Sequence, residues 1–329
     1  MKNVPDAQGN FVIDATSKEF TNPAQKHYHE MQVIHDTKNG RPITNNFYLY
    51  ADHPVGTAYL VHGYYGSPLD EFVCPTAMEF WQNQFNVCVI ESYDLSSTSQ
   101  PNAVREKKYV NLDRFHKSVH RGMRAARNKK LSGSYTILVG HCLGAHAIAA
   151  NLSMHYAKNP FFQEIVFVSP YLMPSQKIEG IKSRLTPRDW QRISAFSLTE
   201  KTQIQIDGKP FDIKYNMNFF DYEFPGVKVN AGPTGYDTNE YLKAIFEQKF
   251  TKVFENWKDT SITFVCGDKD TVISYADMLT LFNQLPSQYK KFITIPNAGH
   301  FSDNSGGQGI KRAMQEIILN AHMSAIRND

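Results

Sequence analysis

The chain has 329 residues, of which 41% are hydrophobic and 13% aromatic, and a formal net charge of +3. A chain of this size buries a large core without outside help, and a weak charge without long basic runs argues against nucleic acid as a partner. The sequence has neither an apolar run of about eighteen residues nor a leader-type segment, so we expect no integral membrane segment. Its four cysteines are irregularly spaced, which fits a reducing compartment. We therefore expect a cytoplasmic protein.

Predicted elements alternate along most of the chain. Residues 1–29 are polar and are expected to form an arm lying loosely over the core. Residues 31–35 and 47–50 flank an Asn-Gly turn signal and predict an antiparallel hairpin. Parallel strands are then predicted at 57–62, 87–91, 134–139, 164–168, 261–266 and 291–295, alternating with helices near 69–83, 113–130, 143–157, 274–284 and 308–325. This alternation predicts an α/β fold with a mostly parallel sheet flanked by helices.

Two of the predicted strands end in motifs that suggest chemistry. The first strand breaks at His62 and Gly63, which are followed by Tyr64 and Tyr65. The strand at 134–139 leads into Gly-His-Cys-Leu-Gly at 140–144 and then into a helix. A strand, a tight turn and a helix with glycines on both sides of the central residue predict a nucleophile elbow that lifts the side chain of Cys142 above the sheet edge.

A long insertion separates the predicted strands at 164–168 and 261–266. A parallel crossover needs only about a dozen residues, whereas this connection is about ninety residues long. We expect a cap subdomain at 171–255, inserted after the sixth strand, with the α/β core formed by 30–170 and 256–329. A β-hairpin is predicted around Asp-Gly at 207–208. Tyr65 and two aromatic residues of the cap, Phe219 and Phe220, are candidates for lining a substrate pocket.

The last two predicted strands end in turns that suggest a catalytic acid and base. The strand at 261–266 ends in Gly-Asp-Lys-Asp, which offers Asp270 and, two residues earlier, Asp268. The strand at 291–295 exits through Pro-Asn-Ala-Gly to His300. Asp268 is the alternative to Asp270 as the partner of the imidazole, and it equally suits a turn cap.

From about residue 48 onward, these motifs in this order resemble the α/β-hydrolase superfamily, and the long cap is similar to monoacylglycerol-lipase-like and thioesterase members. The resemblance implies that Cys142 is the nucleophile, His300 its base and Asp270 the acid that orients the imidazole. It also implies an oxyanion hole made by the N–H groups of Tyr64 and Leu143. No metal or organic cofactor is implied.

The thiol departs from the serine that most members of this superfamily carry. Cysteine members include dienelactone hydrolases, polyhydroxyalkanoate synthases and some offloading thioesterases. Since an acyl-thioenzyme reacts readily with amines and thiols, we expect cleavage or transfer of an acyl ester, thioester or lactone, with a small-molecule acyl substrate and an acyl carrier or acceptor as partners.

Two other interpretations stay open from the sequence. A serine lipase or esterase whose nucleophile has been replaced by cysteine would have the same motif, because Gly-His-Ser-Leu-Gly is a common lipase form. A protein that binds a small ligand on a hydrolase scaffold without turnover would have the same fold. His116 and His120 have metal-ligand spacing, but arginines surround them, so we interpret them as a solvated basic face and predict no metal site.

Overall fold

A computed structural model describes most of the core of the chain. The described residues are 11–14, 28–35, 40–63, 68, 72–92, 112–131, 133–152, 155, 161–172, 203–206, 209–212, 257, 260–270, 273–300 and 308–328. Tyr64, Tyr65, Phe219 and Phe220 lie outside this set, as does most of the predicted cap.

In this part of the chain, nine strands form one sheet. They are β1 (Phe11–Asp14), β2 (Glu30–His35), β3 (Pro42–Leu49), β4 (Gly56–Val61), β5 (Phe85–Ser92), β6 (Tyr135–His141), β7 (Glu164–Val168), β10 (Ser261–Gly267) and β11 (Lys290–Ile295). Their order across the sheet is β1-β2-β3-β5-β4-β6-β7-β10-β11. The first three pairs in this order, β1 with β2, β2 with β3 and β3 with β5, are antiparallel. The remaining pairs are parallel. This is the mostly parallel sheet that the sequence predicts.

Helices cover both faces of the sheet. They are α1 (Val73–Gln82), α2 (Leu112–Asn128), α3 (Leu143–Asn151), α4 (Tyr275–Gln284) and α5 (Gln308–Asn328). On one face, α2, α3 and α4 bury apolar side chains such as Phe115, Ala147 and Met278. On the other face, α1 and α5 bury Phe80 and Met314, among others. One hydrophobic layer on each face of the buried sheet holds the carboxyl ends of the parallel strands at a fixed edge.

The amino-terminal part of the chain contributes more to the sheet than expected. The structure adds strand β1 within the predicted arm, and this strand pairs with β2 in an antiparallel register from Phe11 opposite Val33. Tyr28, also in the predicted arm, is buried and donates from its hydroxyl to the carbonyl of Pro68 over 2.6 Å. The arm is therefore partly an edge strand of the core, a contact that its polar composition did not indicate.

The insertion after β7 is described only at one hairpin. Strands β8 (Gln203–Ile206) and β9 (Lys209–Asp212) pair antiparallel in a separate two-stranded sheet, at the position where the sequence predicts a hairpin. None of the helices in the described ranges is both long and apolar enough to span a membrane.

Candidate active site

The turn after β6 has the geometry of a nucleophile elbow. Cys142 follows the last residue of β6 and has φ 51° and ψ −116°, a strained backbone that L-residues rarely adopt. A Cβ on Gly144 would lie 2.4 Å from the carbonyl oxygens of Val61 and His62, and one on Gly140 would lie 2.6 Å from Ile148. Only glycine fits at both places, so the turn requires the two glycines that flank the cysteine in the sequence.

Helix α3 begins directly after the cysteine and directs its amino terminus at it. The N–H of Leu143, as the first of the helix, has no acceptor in the preceding turn of the helix itself. The positive end of the helix dipole favours negative charge on a nearby sulfur or substrate oxygen. The other predicted oxyanion donor, Tyr64, lies outside the described residues.

The predicted acid and base are in direct contact. The Nδ1 of His300 lies 2.8 Å from the Oδ2 of Asp270, and both side chains are almost fully buried. The Oδ1 of Asp270 accepts a second hydrogen bond, from the N–H of Ile273 over 2.8 Å. A carboxylate held by a backbone donor fixes the orientation and tautomer of the imidazole that it contacts.

Asp268, the alternative acid, has a different partner. Its Oδ1 accepts the backbone N–H of Asn297 over 2.6 Å. The N–H of Lys269 donates to the carbonyl of Ala298 over 3.0 Å, and Gly267 lets this carbonyl approach so closely that a Cβ there would lie 2.3 Å from the oxygen. The turn that follows β10 is thus hydrogen-bonded to the turn that follows β11, and the carboxylate of Asp268 accepts one of these bonds.

The charge of His300 is set by the groups around it. Burial alone would lower the pKa of this imidazole, but the electrostatic influence of the nearby Cys142, the hydrogen bond to Asp270 and the charge of that carboxylate outweigh burial and raise the pKa to about 10. An imidazolium at neutral pH favours the thiolate of the neighbouring cysteine by Coulomb attraction. The turn after β11 thus places a charged imidazole at the sheet edge where the elbow presents Cys142.

The other cysteines are in different surroundings. Burial raises the pKa of the Cys88 and Cys266 thiols well above the ordinary range, which keeps them protonated and unreactive. Cys74 is half-buried on α1, and all four cysteines are free thiols.

Two neighbouring histidines, for which the sequence predicts no chemical role, contribute to the site. The N–H of Ser92 donates to the Nε2 of His62 over 3.0 Å, so the proton of the neutral His62 ring is on Nδ1. This Nδ1–H donates to the carbonyl of Gly63 over 2.6 Å. This fixes the backbone directly before Tyr64, the predicted oxyanion donor. His141 lies between His300 and Phe72. For both His62 and His141, the sequence signal for this contribution was a histidine at the end of a buried strand.

The histidines of α2 are half-buried, and each contacts another imidazole. The Nε2 of His116 lies 3.0 Å from the Nδ1 of His146 on α3, and the rings of His120 and His155 have centroids 3.9 Å apart with their planes tilted by 35°. The interpretation of His116 and His120 as a solvated basic face is therefore incomplete, because both rings are half-buried against other imidazoles, while Arg121 and Arg124 lie close enough to His120 to contribute to lowering its pKa. Among the residues that the structure describes, no group of three or more His, Cys, Asp or Glu side chains is placed to hold a metal ion.

Comparisons with known proteins agree with this architecture. A sequence model for the alpha/beta hydrolase fold matches residues 59–302, well over half of the chain. No curated protein matches the sequence significantly.

Solved structures match over nearly their whole length. Est1E from Butyrivibrio proteoclasticus superposes with a TM-score of 0.56 at 12% identity, covering 88% of this chain and 98% of its own. A soluble variant of the monoglyceride lipase from Saccharomyces cerevisiae gives 0.56 at 12%, covering 88% and 95%. A bromoperoxidase from Bacillus anthracis gives 0.51 at 17%, covering 86% and 97%. At these identities the likeness establishes the fold alone. By its family match and by its elbow, acid and base turns at one sheet edge, the chain belongs to the α/β-hydrolase family of enzymes.

Proposed function

We propose that the protein cleaves or transfers an acyl group through a covalent acyl-Cys142 intermediate. The observation that carries the proposal is the buried contact between His300 and Asp270, with the imidazole charged by its proximity to the cysteine of the elbow. A buried, oriented imidazolium beside a thiol has few uses other than nucleophilic chemistry, because burying charge without a function is costly.

In the first half-reaction, the thiolate sulfur of Cys142 attacks the acyl carbonyl carbon. The carbonyl π electrons move to the oxygen, and the N–H of Leu143 and that of Tyr64 stabilise the oxyanion. When the tetrahedral intermediate collapses, the bond from carbon to the leaving oxygen or sulfur breaks and His300 gives its proton to that atom. The products are a thioester on Cys142 and a free alcohol or thiol.

In the second half-reaction, His300 is neutral and removes a proton from water or from an acceptor alcohol, amine or thiol. This nucleophile attacks the thioester carbonyl, and the Cys142 sulfur leaves as thiolate. The imidazolium and thiolate are thereby restored, while Asp270 stabilises the positive charge on the imidazole throughout.

The fold relatives suggest which donors to test. Est1E has been crystallised with ferulic acid, and the yeast lipase with a substrate analogue. Aromatic and long-chain acyl esters are therefore the first donors, and acyl thioesters follow because a thiol nucleophile exchanges readily with them. The aromatic residues Phe219 and Phe220 of the predicted cap remain candidates for the acyl pocket. The four free thiols fit a protein of a reducing compartment, as expected for the cytoplasm.

The experiment is intact-protein mass spectrometry after mixing with p-nitrophenyl esters and acyl thioesters of short, long and aromatic acyl groups. The wild type is expected to gain one acyl mass, located on Cys142 by peptide mapping, and to release product. Cys142→Ala serves as the control that keeps the fold and is expected to gain none.

Three results would contradict the proposal in different ways. An adduct on another residue would remove Cys142 from the chemistry. Faster turnover by Cys142→Ser would favour a lipase or esterase whose native serine has been replaced. Neither adduct nor turnover with any donor, together with a raised melting temperature in the presence of the same compounds, would favour a binding protein.

A further inference from the structure

His141, the residue before the nucleophile, occupies the centre of the site without having a catalytic role in the proposed function. It is the last residue of β6, is buried, and its ring stacks on Phe72 with centroids 4.4 Å apart and planes 28° from parallel. A leucine or phenylalanine would fill this space without bringing polar nitrogens into an apolar setting. The presence of an imidazole here therefore requires partners for its two nitrogens.

One partner is the backbone of the general base. The Nε2 of His141 lies 3.4 Å from the carbonyl oxygen of His300, a contact between residues 159 positions apart. Because a carbonyl oxygen only accepts, the proton of the neutral ring must be on Nε2. The two rings are 5.4 Å apart, so this long hydrogen bond reaches the base at its main chain while Asp270 holds it at Nδ1.

The other nitrogen lies against the segment expected to bear the oxyanion hole. A Cβ on Gly63 would be 3.2 Å from the Nδ1 of His141 and 3.1 Å from the Cβ of Cys142. A single imidazole thus contacts the base on one side and the loop after β4 on the other, while its backbone continues into the elbow. These three segments must keep their spacing for an acyl group to react.

We propose that His141 is a positioning residue that fixes the main chain of His300, in the Nε2–H tautomer, at the distance from Cys142 that the thiolate–imidazolium pair requires. This inference rests on one part of the proposed function, the action of His300 on the thiol of Cys142, and not on the transfer of an acyl group. His141 itself exchanges no proton with the substrate.

The electrostatics of the site agree with this role. Burial, followed by repulsion from the charge of His300, lowers the pKa of His141 to about 3, although the carbonyl of His300 and Asp270 act in the opposite direction. His62 adds a further small repulsion. His141 therefore stays neutral through the neutral pH range and keeps a single proton for the carbonyl of His300.

Two substitutions separate positioning from packing. His141→Phe keeps the aromatic ring on Phe72 but removes the donor, whereas His141→Gln keeps an N–H that can reach the same carbonyl. His146→Phe is the matched control, since His146 is an equally buried neutral imidazole whose Nδ1 lies against His116 on α2.

The first readout is the rate of alkylation of Cys142 by iodoacetamide at neutral pH, followed by peptide mass spectrometry. We expect His141→Phe to lower this rate by about tenfold, and His141→Gln and His146→Phe to stay within about threefold of the wild type. The melting temperature of each variant is measured in parallel. Equal rates in His141→Phe and His146→Phe, or an equal loss in the Phe and Gln variants, would overturn the proposal.

The second readout uses the wild-type protein and does not depend on how a variant folds. Nitrogen-15 NMR of the imidazoles should find His141 protonated on Nε2 and not on Nδ1 across the neutral range; an Nδ1–H tautomer would contradict the proposal. Neither readout needs a substrate. If no acyl adduct forms but both results hold, the proposed function fails and the positioning role stands, whereas the reverse pattern leaves an acyl-Cys142 enzyme in which His141 only packs.

Discussion

The catalytic edge of the sheet and the contact between α2 and α3 each bury a histidine, but at neutral pH the first imidazole is positively charged and the second is neutral. At the edge, the Nδ1 of His300 faces the carboxylate of Asp270. In the helix contact, the Nδ1 of His146 faces the Nε2 of His116, a second imidazole. Burial lowers the pKa of His146 well below its ordinary value, with His116 adding to the effect, whereas the pKa of His300 is raised to about 10.

The difference shows that burial does not decide the charge of an imidazole in this protein. Desolvation is the largest influence on both rings and acts in the same direction on both. The sign of the outcome depends on whether anionic groups are within contact distance. A buried carboxylate and a thiol that can ionise change a neutral core histidine into an imidazolium.

Removing the carboxylate should have the largest effect. Asp270→Asn takes away the charge that favours the imidazolium and the acceptor that sets the tautomer, so we expect acylation to fall by about 10²–10⁴-fold. Stopped-flow measurement of p-nitrophenol release in a single turnover reports this step. Asp268→Asn is the matched control, because it removes a carboxylate of the same turn that caps Asn297; a loss as large as that of Asp270→Asn would contradict the assignment of the acid.

Replacing the thiol should change the pH dependence as well as the rate. In the wild type, acylation should persist until His300 loses its proton near pH 10, because the imidazolium protonates the leaving group. In Cys142→Ser, the anionic partner is lost and the pKa of His300 falls. Its neutral form then acts as the base, so that activity rises with pH through that lower value.

At neutral pH we expect Cys142→Ser to lower kcat/KM by about a hundredfold, since the serine hydroxyl is a far weaker acid than the thiol and is hardly ionised. Full pH profiles of hydrolysis for both proteins check this. Superimposable profiles would mean that no ion pair forms in the wild type.

A buried carboxylate far from the site, Glu164, also has a pKa that depends on burial and on its neighbours. Glu164 at the start of β7 accepts a hydrogen bond from Thr263 over 2.9 Å, and burial raises its pKa to about 7 despite that bond and the proximity of Lys291. A carboxyl group whose folded pKa is above its unfolded value of 4.5 contributes stability at low pH that is lost as the pH rises through about 7.

Glu164→Gln should remove this loss. We expect the variant to gain about 1–3 kcal/mol over the wild type at about pH 8 and little at about pH 5. Urea unfolding at the two pH values measures the difference. A variant less stable than the wild type at the higher pH would mean that the ionised carboxylate is well compensated.

The helix contact should show the opposite pH dependence, with a smaller effect. His146 has a lowered folded pKa, so its contribution to stability is present above about 6.5 and is lost as the pH falls below that value. Between about pH 7 and pH 5 the wild type should lose stability through this group, and His146→Phe should lose correspondingly less. Denaturation curves at both pH values test it; identical pH slopes would indicate that the imidazole is solvated when charged.

The sequence predicts the parts of the site that depend on local structure. The elbow is recognisable because a buried strand, two required glycines and a helix are adjacent in the chain, and the acid and base turns each follow a strand directly. These positions need no knowledge of the third dimension beyond the rule that carboxyl ends of parallel strands meet at one edge.

Long-range contacts and short edges were harder to predict. The contact of His141 with His300 joins segments 159 residues apart, and strand β1 is only four residues long within a polar arm. Helix α1 begins at Val73 and not at 69, as Pro75 could have indicated, since proline is tolerated only in the first turn.

The measurement that tests the thiolate–imidazolium pair most directly is an NMR pH titration of the His300 imidazole in the wild type and in Cys142→Ala. We predict that the wild-type ring stays protonated through neutral pH and titrates near pH 10, and that loss of the sulfur lowers this value. A wild-type ring that titrates near its ordinary value of about 6.5, unchanged by removal of the thiol, would contradict the account.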